Sequence, residues 1–154
     1  MYLAFKLLHV VAVILFFGNV VTGVFWKHLA DGSHDPTLIA HTLRAIIRLD
    51  RWLTVPSVVG IAVFGVATAL AGHLPMLRTG WIAASILLFT ASGILFHTLA
   101  RLQRELLALA ETGATSDFMD WDAYRRLSRR WFNWGLAATL LPAAALVLMV
   151  LKPF

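Results

Sequence analysis

The chain has 154 residues, of which 60% are apolar and only 14% charged, with a formal net charge of +5 and a mean hydropathy of +0.79. A soluble domain carries roughly a quarter charged residues, so the composition excludes an ordinary water-soluble fold and points to an integral membrane protein. The absence of cysteine excludes disulfides, thiolate metal ligands and covalent c-type haem attachment.

The first element is the apolar stretch 3–25. A helix crosses a hydrocarbon core of ~30 Å with ~20 residues, so this stretch predicts a spanning helix. A cleaved leader is not expected: the run is too long, only Lys6 precedes it, and no Ala-x-Ala-like site follows Trp26. His9 lies within the stretch and His28 just past its end. In the loop that follows, Asp35 is placed to cap a helix and Pro36 to begin it. Leu38, Ile39, Leu43, Ile46 and Ile47 then recur on one face, and His41, Arg44, Arg48 and Arg51 on another. This pattern predicts an amphipathic helix lying on the inner membrane surface. Its arginines serve as lipid anchors or, in a sharper reading, hold propionates, phosphate or a quinone head.

The second span covers 53–72 and ends at His73. The third covers 79–100, begins near Trp81 and contains His97. Its helix is expected to continue as RLQRELLALAE and to break at Gly113-Ala114-Thr115, after which Asp120 or Asp122 caps the next helix. The basic segment YRRLSRRWF leads into the fourth span, 132–151, where Pro142 predicts a kink. In lipid each backbone group needs a partner within its own segment. The fold class is therefore all-α: a polytopic membrane protein, one four-transmembrane-helix domain with the amphipathic helix in its first cytoplasmic loop.

The high pI does not point to nucleic acid, because the charges follow membrane topology. Lys27, Arg44, Arg48 and Arg51 lie in the first loop; Arg101, Arg104, Arg125, Arg126, Arg129 and Arg130 lie in the third. Only Lys6, Arg78 and Lys152 fall on the other side. Positive charge marks the cytoplasmic face, which predicts a multi-pass protein of the bacterial inner membrane with both termini periplasmic. Trp26, Trp52, Trp131 and Trp134 are expected at the inner interface and Trp81 at the outer one.

None of the four spans contains Asp or Glu, so imidazole is the main ionisable group at membrane depth. That leaves metal or haem ligation, proton handling, or hydrogen bonds between helices. A carboxylate relay and a di-iron carboxylate site are excluded, and no His-Glu-x-x-His, phosphate loop or Rossmann glycine pattern occurs. By depth, His9 pairs with His73 near the outer side and His28 with His97 near the inner side, with His41 or His34 as substitutes. Such pairs suit one or two axially ligated b-type haems, with His9 and His97 the leading metal ligands. Lys6 and Arg78 would meet propionates at the outer site, and Arg48, Arg51 and Arg101 at the inner one. Gly93 leaves room for a flat ring, and Phe16, Phe17, Phe89 and Phe96 would line it. The plainer reading makes each histidine a solvated residue or an interhelical hydrogen bond, alongside Asn19, Thr22, Thr90, Ser92 and Asn133.

The stretch FKLLHVVAVILFFG at 5–18, with a second histidine at 28, resembles the start of the HemJ and CopD-like bacterial membrane proteins. GWIAASILLFTASGILFH at 80–97 resembles their third helix, and Arg130-x-x-Asn133 and the terminal LKPF are also similar. The pattern RLDRW…P…G…G over 48–65, with YRRLSRRWF, looks closest to a family of predicted four-helix integral membrane proteins. The HemJ resemblance implies b-type haem held by His9, with His28 and His97 as further ligands, and oxidation of protoporphyrinogen. The chain departs from that pattern at Ala83, Ala84 and Ser85, where HemJ proteins carry a lysine. It departs again at Asn133-Trp134-Gly135-Leu136, where they carry Asn-Glu-x-Pro. The leading expectation is a haem-binding protein that passes electrons, with a quinone or a redox protein as partner and association into a homo-oligomer. The alternatives are a HemJ-like enzyme and a non-catalytic membrane subunit without cofactor.

Overall fold

The computed structural model describes residues 1–116 and 118–153, and the described residues contain helices and no strand. The described residues form five α-helices: α1 (Tyr2–Ser33), α2 (Pro36–Leu49), α3 (Val55–Ala71), α4 (Gly80–Ser116) and α5 (Trp121–Leu151). Four rods are long and apolar enough to cross a membrane: α1, the continuous α2–α3 stretch, α4 and α5. At 32 residues α1 is ~48 Å long, and at 37 residues α4 is ~55 Å long. Both outrun a ~30 Å hydrocarbon core, so their ends beyond the apolar stretches need other cover.

That cover is α2. Asp35 accepts the Thr37 N–H at 2.8 Å, and Pro36 opens the helix, where its missing N–H costs nothing. The apolar face does not rest on lipid, contrary to the expectation of a surface-lying helix. Ile39, Leu43 and Ile46 are buried, and α2 packs against α1 and α4. Arg44 on the outward face pairs with Glu111 of α4 at 2.6 Å. A cluster of buried apolar side chains lies at this basic end and includes Ile39, Leu43, Leu102, Leu106, Tyr124 and Trp131. Along the spans, large side chains such as Leu7, Ile14, Val63, Leu87 and Leu140 point outward, as expected where lipid is the solvent.

One π-helical turn, Asp50–Thr54, joins α2 to α3 without a break. The Val55 N–H reaches back to the Asp50 carbonyl, five residues away. Pro56 follows, with no N–H to offer the Trp52 carbonyl and a ring that crowds it; widening the preceding turn relieves that conflict. α3 then runs antiparallel to α1 along a seam of small residues. A Cβ on Gly60 would stand 3.2 Å from that of Ala12, and one on Gly72 would stand 3.0 Å from the Tyr2 ring.

α4 and α5 pack antiparallel, with buried positions at heptad spacing. Ser85, Ser92, Leu99, Leu106 and Gly113 are buried on α4, and Tyr124, Trp131, Ala138 and Ala145 on α5. Pro142 lies inside α5 and cannot donate to the Ala138 carbonyl four residues back. Ser92 Oγ of α4 donates to that carbonyl at 2.6 Å. Gly113-Ala114-Thr115 does not end α4 as expected; the helix continues to Ser116. Gly113 is instead a contact position, because a Cβ there would collide with Met119 Sδ. Asp120 caps α5 by accepting the Ala123 N–H at 2.8 Å.

Candidate functional site

The buried face of α1 runs through Ala12, Phe16, Asn19, Lys27 and Ala30. This helical stripe does not stop at the end of the apolar stretch, and it turns Lys27 inward. Lys27 is 2% exposed. Its Nζ pairs with Asp31 one turn on and donates to Ser128 Oγ of α5 at 2.7 Å. Tyr124 of α5 donates its hydroxyl to Asp31 Oδ1 at 2.6 Å, and Ser128 donates to Oδ2 at 3.2 Å. The ammonium also lies 5.3 Å from the Tyr124 ring centroid and 5.1 Å from that of Trp131. These groups stand beyond the apolar stretches 3–25 and 132–151. Burial pushes the Lys27 ammonium below its ordinary range, opposed by the charge and hydrogen bond of Asp31. Burial, then the hydrogen bond to Asp31, pushes the Tyr124 phenol far up, so Tyr124 stays a neutral donor.

Above this cluster α1 and α5 part. The cleft between them holds about 710 Å³, with apolar walls that include Val20 and Val24 of α1 and Phe132 and Leu136 of α5. Lys27, Asp31 and Ser128 close one end, and His28 and Arg129 stand at its rim. Val21, Phe132 and Leu136 are about half exposed, so the cleft is open sideways. Trp131 lines it and is 4% exposed, yet its Nε1 has no hydrogen-bond partner among the described residues. A buried donor without an acceptor costs about 1–3 kcal/mol. Trp131 was expected in the interfacial belt and is instead a core residue under Lys27. Trp26, Trp52 and Trp134 are exposed.

A second polar group sits where the π-helical turn meets α1 and α4. Asp50 accepts hydrogen bonds from Asn19, Thr54 and Gln103. No acid occurs in the apolar stretches, but the fold brings this one against Asn19, inside the first of them.

The histidines lie apart from one another. His9 is partly buried; its Nδ1 donates to the Ile61 carbonyl of α3 at 2.9 Å, and its ring fills the space left by Gly65. His73 follows Gly65 by eight residues, ~12 Å at helical rise, and is exposed in a left-handed conformation. His28 is exposed at the cleft rim, and His97 is exposed on α4. The register of Ser92 with Ala138 sets His97 level with about Asn133. That of Lys27 with Ser128 sets His28 level with about Leu127, so the two differ in depth by roughly 9 Å. His34 and His41 are exposed, as are Arg48, Arg51, Arg101, Lys6 and Arg78. Among the described residues, no three His, Asp or Glu side chains form a group that could hold a metal ion. Gly93 leaves open space on an exposed face, and Phe16 and Phe89 meet edge to face across α1 and α4.

Sequence reasoning missed Lys27, Asp31, Tyr124 and Trp131 as a unit. The signal was the stripe Ala12, Phe16, Asn19 and Gly23, which continues at helical spacing to the charged Lys27 and Asp31. No match was found among curated proteins or solved structures. A family profile described as "Predicted integral membrane protein (DUF2269)" matches residues 3–153. With nearly the whole length matched, four spanning rods and a lipid-facing exterior, the chain belongs to the DUF2269 family of predicted integral membrane proteins.

Proposed function

We propose that this protein binds a membrane-soluble amphiphile in the cleft between α1 and α5, with an apolar tail along Val20, Val24, Phe132 and Leu136. An oxygen-bearing head would take the charge of Lys27 and the free N–H of Trp131. A polyprenyl quinone has this shape. One observation carries the reading: a laterally open, apolar-walled cleft is closed at one end by the buried cation Lys27 with Asp31 and Ser128, and its lining includes Trp131, whose buried N–H has no acceptor among the described residues. A ligand oxygen at Trp131 removes the cost of that orphan donor, and apolar walls that face lipid admit a tail without passage through water. The charge distribution supports an orientation with the polar end of the cleft at the cytoplasmic face of a bacterial inner membrane and both termini outside.

Haem b between two imidazoles does not fit these residues. Neither expected pair shares a level: His73 lies ~12 Å along the chain from the Gly65 contact of His9, and His28 and His97 differ by roughly 9 Å. His28 is the one expected ligand that lines the cleft.

The test uses detergent-solubilised protein and quenching of tryptophan fluorescence by a long-tailed quinone. Saturable quenching is expected, lost in Val24→Trp, which fills the cleft, and weakened about tenfold or more in Trp131→Phe. Non-saturating quenching that is identical in Val24→Trp would refute the reading, as would a Soret band that disappears with His28→Ala. A phospholipid that competes with the quinone at equal strength would identify the ligand as lipid.

A further inference from the structure

The carboxyl group of Asp50 lies half-buried at the junction of three rods. Its Oδ1 accepts from Asn19 Nδ2 of α1 at 3.1 Å and from Thr54 Oγ1 at 3.0 Å; its Oδ2 accepts from Gln103 Nε2 of α4 at 3.1 Å. Asn19 also donates to Thr54 at 2.7 Å, and Asn19, Thr54 and Gln103 are all buried. Among the described residues no cationic nitrogen pairs with this carboxyl. α1 carries no Lys, Arg, Asp or Glu between Lys6 and Lys27, and α3 carries none at all. Arg48 and Arg51 on its own rod, and Arg101, Arg104 and Glu105 on α4, are exposed.

A carboxylate held for structure alone is best served by a fixed cation, because an uncompensated buried charge is costly. Every partner of Asp50 is instead ambivalent. Each amide offers a donor end and an acceptor end, and the Thr54 hydroxyl does both. Turning one amide lets the neutral acid donate where the carboxylate accepted, so loss of the charge need not cost a bond. A cluster built this way serves both protonation states.

We propose that Asp50, with Asn19, Thr54 and Gln103, is a proton-binding site that takes a proton from water at the basic end and returns it there. Only the carboxyl O–H bond forms and breaks. The site ties α1 and the α2–α3 rod to α4 in both states. It is independent of the cleft and of any ligand there.

The test is an infrared titration of the full chain in vesicles, comparing wild type with Asp50→Asn. The amide is nearly isosteric and keeps the cluster bonded, so helicity should be unchanged. The wild-type-minus-variant difference should contain one carboxylic acid C=O band that grows on acidification, with a midpoint that does not respond to exchange of sodium for choline. Gln103→Leu removes the donor to Oδ2 and should move that midpoint up by about one pH unit; this arm stands even if Asp50→Asn fails to fold. No difference band at any pH where the helices persist would overturn the proposal, as would an unmoved midpoint in Gln103→Leu. A midpoint set by sodium would overturn it in favour of a metal cation.

Discussion

A lysine with 2% of its surface exposed survives in the fold because Asp31, Ser128 and the faces of two aromatic rings compensate its ammonium, two of whose three N–H groups have acceptors among the described residues. The energetic asymmetry of such a pair yields a prediction. Lys27→Met leaves Asp31 with two donors and no cation. Removing one member of a buried pair costs about 3–5 kcal/mol, but the Asp31 side chain is 28% exposed, so a loss of about 2 kcal/mol is expected. Adding Asp31→Asn removes the stranded charge while its amide oxygen can still accept from Tyr124, and should recover most of that loss. Thermal unfolding in detergent of both single variants and the double variant checks it; a double variant no more stable than Lys27→Met would mean that the packing of the lysine stem matters more than its charge. The same logic explains why imidazoles attracted attention in the sequence and these residues did not. A histidine inside an apolar run is visible by contrast, whereas Lys27 stands two residues past the run and reads as a loop charge.

Helix α5 contains a proline that ought to weaken it, and the repair lies on α4. Pro142 deprives the Ala138 carbonyl of its helical donor, and Ser92 supplies one at 2.6 Å. In a setting without water an unfilled carbonyl has no other recourse. Ser92→Ala should therefore cost about 1–2 kcal/mol in the native background and markedly less when Pro142→Ala restores the N–H. The coupling energy from the four-member cycle, read by unfolding in detergent, is the measure; additive effects would mean that the serine bond is incidental. The four spans could be read from composition and run length, and the start of α2 from Asp35 and Pro36, because these signals are local. The heptad on α4 and α5 was equally present, at Ser85, Ser92, Leu99 and Leu106 and at Tyr124, Trp131, Ala138 and Ala145. Nearly every neighbour is also apolar, so periodicity stands out poorly there. The role of Gly113 was hidden for a different reason. A glycine that ends a helix and one that makes room for Met119 look identical until the chain has turned back.

For the molecule as a whole, the packed core and both buried polar clusters gather toward one end, while the spans rely on lipid for much of their cover. That end also bears all but three of the 13 lysines and arginines. A headgroup region of negative potential attracts it, and translocating so many charges across the bilayer is opposed. The prediction is that the α1–α2 and α4–α5 turns face the cytoplasm and the α3–α4 turn faces outward. A chain without cysteine allows a clean test, since any introduced thiol is the only one present. Gly32 has open space around a new Cβ, and Thr115 and Leu77 are exposed, so a cysteine at each should leave the packing undisturbed. In intact spheroplasts a membrane-impermeant maleimide should label Leu77→Cys at once, but Gly32→Cys and Thr115→Cys only after lysis. The reverse pattern would put Lys27, Asp31 and the polar end of the cleft at the outer face. A ligand head would then exchange with the periplasm, and the proton at Asp50 would come from that side too, because both clusters open toward the same end of the bundle.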